Sequence, residues 1–389
     1  MSFLASRITQ SAKKNYGMFA KAAALAAGGA DMIHLELGRP VHDTPEHIKR
    51  ATIDALRAGK VHYGDLQGEA PLRAALAAKL RDFNAIDATA DQVLVTNGLT
   101  QASFAAILAT VESGDEVILL EPYYPQHVGK IELAGGKVVL APLDRARNFA
   151  LDASLIEPFV SSRTKAIVLV NPCNPTGRVY SREELEGLAA LAIRHDLLVI
   201  SDEVYEYITF DSARHVSIAS LPGMAERTIS MYAFTKAYAM DGWRLGYVVA
   251  SPELIGGMLK VTANEVTHVN TFIQDGALAA VTGDPGPLRF MVDDDRKKRD
   301  LIVSALNQMP GVTCAPPEGT IYAFPDISAT GRDSQALADA ILEQHGVVVE
   351  AGGFYGQSGD QHLRICFGSQ PADRLEEAAR RLTSFFNGL

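Results

Sequence analysis

The sequence predicts an α/β protein: a large three-layer domain with helices on both faces of a mostly parallel sheet, and a smaller α/β domain beside it. Two observations lead there. Through the middle of the 389-residue chain, apolar runs of strand length alternate with longer stretches of helical periodicity. After about Pro287 the texture changes to a charged helical segment, short strands and a final amphipathic helix. The strand runs are continuously apolar rather than alternating, so their residues meet hydrocarbon on both faces, as in parallel sheets covered by helices.

In chain order, "MIHLELGRP" reads as a strand ending in a Gly-Arg-Pro turn and "TPEHIKRATIDALRAG" as a helix. Strands follow at "QVLVT", "DEVILL", "KVVLA", "KAIVLV", "LLVIS", "RTISMY" and "GYVVA". Between them, "TQASFAAILATVES" and "SREELEGLAALAIRHD" are helical, the latter opened by Ser181 with Glu184 three residues on, a capping box. "RFMVDDDRKKRDLIVSALNQM" and "ADRLEEAARRLTSFFNGL" supply helices of the smaller unit. The expected division puts the large domain at 46–288 and builds the small one from 1–45 together with 289–389.

Composition excludes several functions. A net charge of -10, with no run of clustered Lys and Arg, repels phosphate backbones and anionic membranes, so neither nucleic acid nor membrane is expected as a partner. No apolar stretch approaches the roughly 20 residues of a spanning helix, and the N-terminus has no secretory core, which leaves the cytoplasm as the expected location. Cys173, Cys314 and Cys366 lie far apart and the ten histidines are scattered, so no protein-ligated metal is indicated.

Open parallel sheets bind ligands beyond the carboxyl ends of their strands. In "QVLVTNGLTQASFAAILA", Gly98, Leu99 and Thr100 start a helix after a strand: either an anion seat of free amides or a capped helix with no ligand. Tyr123 and Tyr124 end the next strand, where they either stack on a planar ligand or pack in the core. "NPCNPTG" sets the amides of Asn171 and Asn174 at the sheet's edge. Asp202 and Glu203 follow an unbroken apolar strand, with Tyr205 close behind; an aspartate there could keep a ring nitrogen protonated. Lys236, at the end of "YAFTK", is either a lysine lying along apolar surface or one whose amine is neutral or covalently engaged. Taken together, these groups describe a pocket for a phosphorylated, pyridine-like aldehyde captured by a Schiff-base lysine.

The motifs "LELGRP", "NPCNPTG", "SDEVY", "TKAYAMDGWRLGY" and "HLRICFG", in this order and over nearly the whole chain, resemble the class I/II aminotransferases, pyridoxal-phosphate enzymes of fold type I. The resemblance implies pyridoxal 5'-phosphate as cofactor, Lys236 as the Schiff-base lysine and proton carrier, and Asp202 at the pyridine nitrogen. It implies Asn174 and Tyr205 on the ring hydroxyl, Tyr124 stacked on the ring, and a phosphate cup of Gly98, Leu99, Thr100, Thr235 and Arg244. Arg364, with Gly38 and Asn174, would hold the substrate α-carboxylate. Tyr63 would reach a neighbouring subunit's phosphate, making the enzyme a homodimer with shared active sites.

The implied activity is ping-pong transfer of an amino group from an L-amino acid to a 2-oxo acid. Ala233 stands where many relatives carry a phosphate-binding serine, a loss Thr235 could partly offset. Thr100 stands where some relatives that take acidic substrates have lysine. Arg39 either reads a substrate side chain or, as the favoured expectation, pairs with Glu36 or Asp43. His268 either lines a neighbouring subunit's entrance or is structural. A C–S lyase of the same fold is the alternative; a regulator's ligand-sensing module lacks a winged-helix segment before residue 30 and the matching charge, and a nicotinamide oxidoreductase lacks the dinucleotide fingerprint.

Overall fold

A computed structural model describes residues 3–10, 17–26 and 28–389. Seven strands form the central sheet: β1 (Val93–Thr96), β2 (Glu116–Glu121), β3 (Lys137–Pro142), β4 (Thr164–Val170), β5 (Leu198–Asp202), β6 (Thr228–Ala233) and β7 (Gly246–Val249). Their spatial order is β1-β7-β6-β5-β4-β2-β3. Only β7 runs antiparallel to its neighbours β1 and β6; the other pairings are parallel. The carboxyl ends of the remaining six strands therefore share one edge, and the chain enters β7 from that edge.

The continuous apolar runs bury both faces, as expected, with period-two sorting of side chains. In β2, Val117 and Leu119 join a core beneath helix α1 (Gly98–Thr110), while Ile118 and Leu120 join the opposite core, which includes Leu185 and Leu188 of helix α3 (Arg182–Arg194). The same sorting separates Val168 from Ile167 and Leu169 in β4. Strand β3 departs from the pattern. It is the edge strand, and "KVVLA" is mostly half-buried or exposed. The capping box of α3 forms: Glu184 N donates to Ser181 Oγ (3.2 Å), and Ser181 N donates to Glu184 Oε2 (2.7 Å).

A separate core gathers Met18, Ile33 and Leu35 from the start of the chain with Ile302, Leu337, Ile365, Leu382 and Phe386 from its end; Tyr205 and Ile208 join it from the middle. Here Ile33–His34 pairs in parallel with Val347–Val348, and Leu363–Cys366 lies between Glu350–Ala351 and Tyr322–Ala323 in an antiparallel sheet. The strand expected over "MIHLELGRP" is only two residues long, because the backbone beyond Leu35 turns toward the sheet edge; Arg39 N donates to Leu37 O (2.9 Å).

Candidate active site

The topology brings most of the sequence-predicted residues to one edge. Gly98 follows β1, Tyr124 follows β2, Asn174 follows β4, Asp202 and Tyr205 end β5, Lys236 follows β6, and Arg244 precedes β7. Segment 36–39 and Arg364 face them from the second core. Lys236 Nζ donates to the Gly38 carbonyl, and Arg364 Nη2 to the Glu36 carbonyl. Arg364 Nη1 also donates to Asn174 Oδ1 (3.2 Å).

No side chain among the described residues caps α1, so the amides of its first turn remain available. Gly98 has φ +72°, and a Cβ there would stand 2.8 Å from Arg244 Nη2. The guanidinium thus lies over the helix start, anchored by donation from Nη1 to Asp241 O (3.0 Å). The Thr100 and Thr235 hydroxyls make no hydrogen bond among the described residues, which leaves both free for a ligand.

Burial pushes the half-buried Lys236 amine down to about 8, against smaller attractions from Cys366, Asp241 and Asp202. Its Nζ lies 5.9 Å from the centre of the Tyr205 ring. Asp202 is buried, and its Oδ2 has His127 Nε2 3.7 Å away; burial holds the imidazole below its usual pKa, and neither ring nitrogen has a hydrogen-bond partner. Tyr124 stands edge-on to His127 (5.6 Å), and its phenol is raised to about 12 by burial, next by the charge of Asp202.

Sequence reasoning missed four neighbours. Tyr205 Oη donates to Tyr322 Oη (2.8 Å), and a Cβ on Gly38 would overlap that same Tyr322 hydroxyl, so glycine is required there. The Arg364 guanidinium lies against Tyr322 (4.4 Å) and Tyr355 (4.9 Å), while its Nε is buried without a partner among the described residues. Buried Lys130, on helix α2 (Gln126–Leu133), donates to Ser103 Oγ (2.6 Å) beneath the first turn of α1. His127, on the same helix and one turn after Tyr124, was the one a helical-spacing argument could have found. Tyr322 and Tyr355 sit in no motif.

Some expectations do not hold. Asn171 does not face the site: its Nδ2 donates to Val216 O (3.2 Å) and its Oδ1 accepts from Tyr180 N (3.0 Å), so this amide builds the turn. Glu203 is likewise structural; although burial opposes its charge, His215 (2.8 Å) and Ser217 (2.9 Å) hold it below the usual carboxylate range. Arg39 does not pair with Glu36 or Asp43, because Glu36 is taken by His34 (2.8 Å) and Asp43 by Lys49 (2.9 Å). Tyr63 is 90% exposed, touching the His268 ring at 5.5 Å, and is not gathered with the others in this chain. His42, Asp294 and Asp295 approach within 4.8 Å of one another, but Lys298 Nζ, 2.6 Å from Asp294, already supplies a cation there.

An uncapped helix start under an arginine, a buried carboxylate, a half-buried lysine of lowered pKa and a partly unpaired buried arginine fit a phosphorylated pyridine aldehyde and a carboxylate substrate. The profile of the family "Aminotransferase class I and II" matches residues 30–382, and the chain belongs to that family. It is 38% identical over 361 residues to an aspartate aminotransferase of Pyrococcus abyssi, covering 92% of each chain. It is 37% identical to an arginine–pyruvate transaminase of Pseudomonas aeruginosa, covering 93% of this chain and 92% of the relative. A solved aspartate aminotransferase of Thermus thermophilus superposes with a TM-score of 0.92 at 34% identity, covering 99% of this chain and all of that one. The protein is a pyridoxal-phosphate-dependent aminotransferase acting on amino acids and 2-oxo acids. These relatives give the C–S lyase alternative no support. No helix among the described residues is long and apolar enough to cross a membrane.

Proposed function

We propose that amino transfer in this protein is carried by Lys236, with the substrate amino acid held between it and Arg364. The observation that carries the reading is the pair itself: an amine lowered to about 8 that donates to the Gly38 carbonyl, and a buried guanidinium that donates to the Glu36 carbonyl and whose Nε has no partner among the described residues. Bound pyridoxal phosphate supplies an aldehyde for the substrate amine and a ring that accepts the electron pair left when the Cα proton departs.

The chain's own residues do the rest. The α1 amides, Arg244, Thr100 and Thr235 hold the phosphate. Asp202, backed by neutral His127, keeps a proton at the ring nitrogen. Tyr124 would lie against the ring, and Asn174 and Tyr205 would hold its hydroxyl, with the Tyr205 proton given to Tyr322. Arg364 binds the α-carboxylate through its fork, steadied by Asn174 and two tyrosine faces. Lys236 would take the Cα proton as a neutral base.

Lys236→Ala tests this. The variant should retain bound cofactor, measured by dialysis and absorbance, while transfer from every L-amino acid tried falls by at least about 10³-fold; normal turnover would sink the assignment. We further propose a homodimer in which Tyr63 reaches the partner's phosphate, supported by the exposed row of Val61, Tyr63 and Leu66. The division into 46–288 and 1–45 plus 289–389 remains part of this reading, supported by the separate cores. So does residence in the cytoplasm, supported by three buried cysteines that are all unpaired.

A further inference from the structure

We infer that Arg39 selects substrates whose side chain carries a carboxylate. The inference rests on the substrate placement proposed above. Segment 36–44 is pinned through the site at four points: the Glu36 carbonyl by Arg364, the Gly38 carbonyl by Lys236, Val41 N to Gly368 O (2.9 Å), and Thr44 Oγ1 to Ala239 O (2.6 Å). Arg39 sits within this pinned stretch, one residue past Gly38, in the turn closed by its own N–H to Leu37 O (2.9 Å). A substrate with its α-carboxylate at Arg364 and its Cα at Lys236 has its side chain left to run along this segment.

The guanidinium of Arg39 is exposed and has no ion-pair partner among the described residues. The acids of its own segment are engaged elsewhere, Glu36 with His34 (2.8 Å) and Asp43 with Lys49 (2.9 Å). A planar fork carried on a tight backbone turn one residue past Gly38, uncompensated in a chain of net charge -10, suits a second carboxylate. The same charge repels a basic side chain. Thr100, in the first turn of α1, contributes no charge of its own, and Arg39 is the only Lys or Arg in segment 36–44.

The test uses the full-length, cofactor-loaded protein and its Arg39→Gln and Arg39→Lys variants. Single-turnover rates would be compared for L-aspartate and L-glutamate against L-alanine and L-phenylalanine. Binding of succinate and propionate, which do not react, would be measured by calorimetry. Arg39→Gln should lower kcat/KM for the two acidic substrates by about 30-fold and weaken succinate by about tenfold. L-Alanine and propionate should stay within about threefold, and Arg39→Lys should fall between.

A change equal for all substrates, or no change in the acidic-to-neutral ratio, overturns the inference. So does a general loss accompanied by altered sedimentation, which would place Arg39 in a subunit contact instead. A wild-type protein that transfers from no amino acid defeats the parent proposal, and that outcome is distinct from a working enzyme indifferent to Arg39.

Discussion

Lys236 shows how a single residue acquires its chemistry from surroundings. An ordinary lysine near pH 7 is almost wholly protonated, whereas one lowered to about 8 is neutral in roughly a tenth of molecules. Labelling of the cofactor-free protein with an amine-reactive probe, followed by peptide mapping, should show Lys236 reacting with a pH midpoint near 8, well below the exposed lysines. A midpoint near 10 would contradict the burial argument. The same shift has a stability consequence. The folded state binds fewer protons than the unfolded chain between pH 8 and 10.5, so this group's cost is fully present below 8 and is relieved as the pH rises through that window. The lysine, Asp202, Asn174, Tyr205, Arg244 and Arg364 were all legible, because each stands in a local motif. Tyr322 was not. Its hydroxyl meets Tyr205 across 117 residues of chain, a pairing that spacing cannot encode.

At the scale of elements, the turn after β5 is aimed by two buried clamps. Glu203 is held by His215, Ser217 and Tyr232 (3.0 Å), and Glu206 by Lys79 (2.5 Å) and Asn84 (2.8 Å), with the Lys79 ammonium 4.7 Å from the Tyr232 ring. Tyr205 lies between these clamps and Asp202 directly precedes the first, so both have little freedom. Lys79→Met should leave Glu206 buried and uncompensated, lowering stability in urea unfolding by about 3–5 kcal/mol. A second change, Glu206→Met, should recover much of that loss; a single-variant loss below about 1 kcal/mol would show the pair is not acting as a buried unit. The motif "SDEVYEY" suggested Asp202 as functional. That both glutamates serve as structural anchors became visible only with their partners in place.

For the whole molecule, the proposed homodimer would share its sites between subunits. Tyr63 and Lys236 would act in different sites of one dimer, so Lys236→Ala and Tyr63→Ala chains unfolded and refolded together should regain activity that neither has alone. The expected recovery is about a quarter of wild type, from random pairing into dimers with one intact site in two. No recovery, with mixed dimers demonstrated, would exclude the shared site. By itself, the sequence determined the α/β class, the strands, the edge at which the candidate site lies and the family, because buried strands, capped helices and turns at strand ends are written in local patterns. The tertiary structure alone decided which wall each group faces: it turned Asn171 and Glu203 away, brought Tyr322 and His127 in, and left Arg39 unpaired. Local patterns set backbone conformation within a few residues, while partners, burial and lowered pKa values arise from contacts between segments that lie from 9 to 328 residues apart.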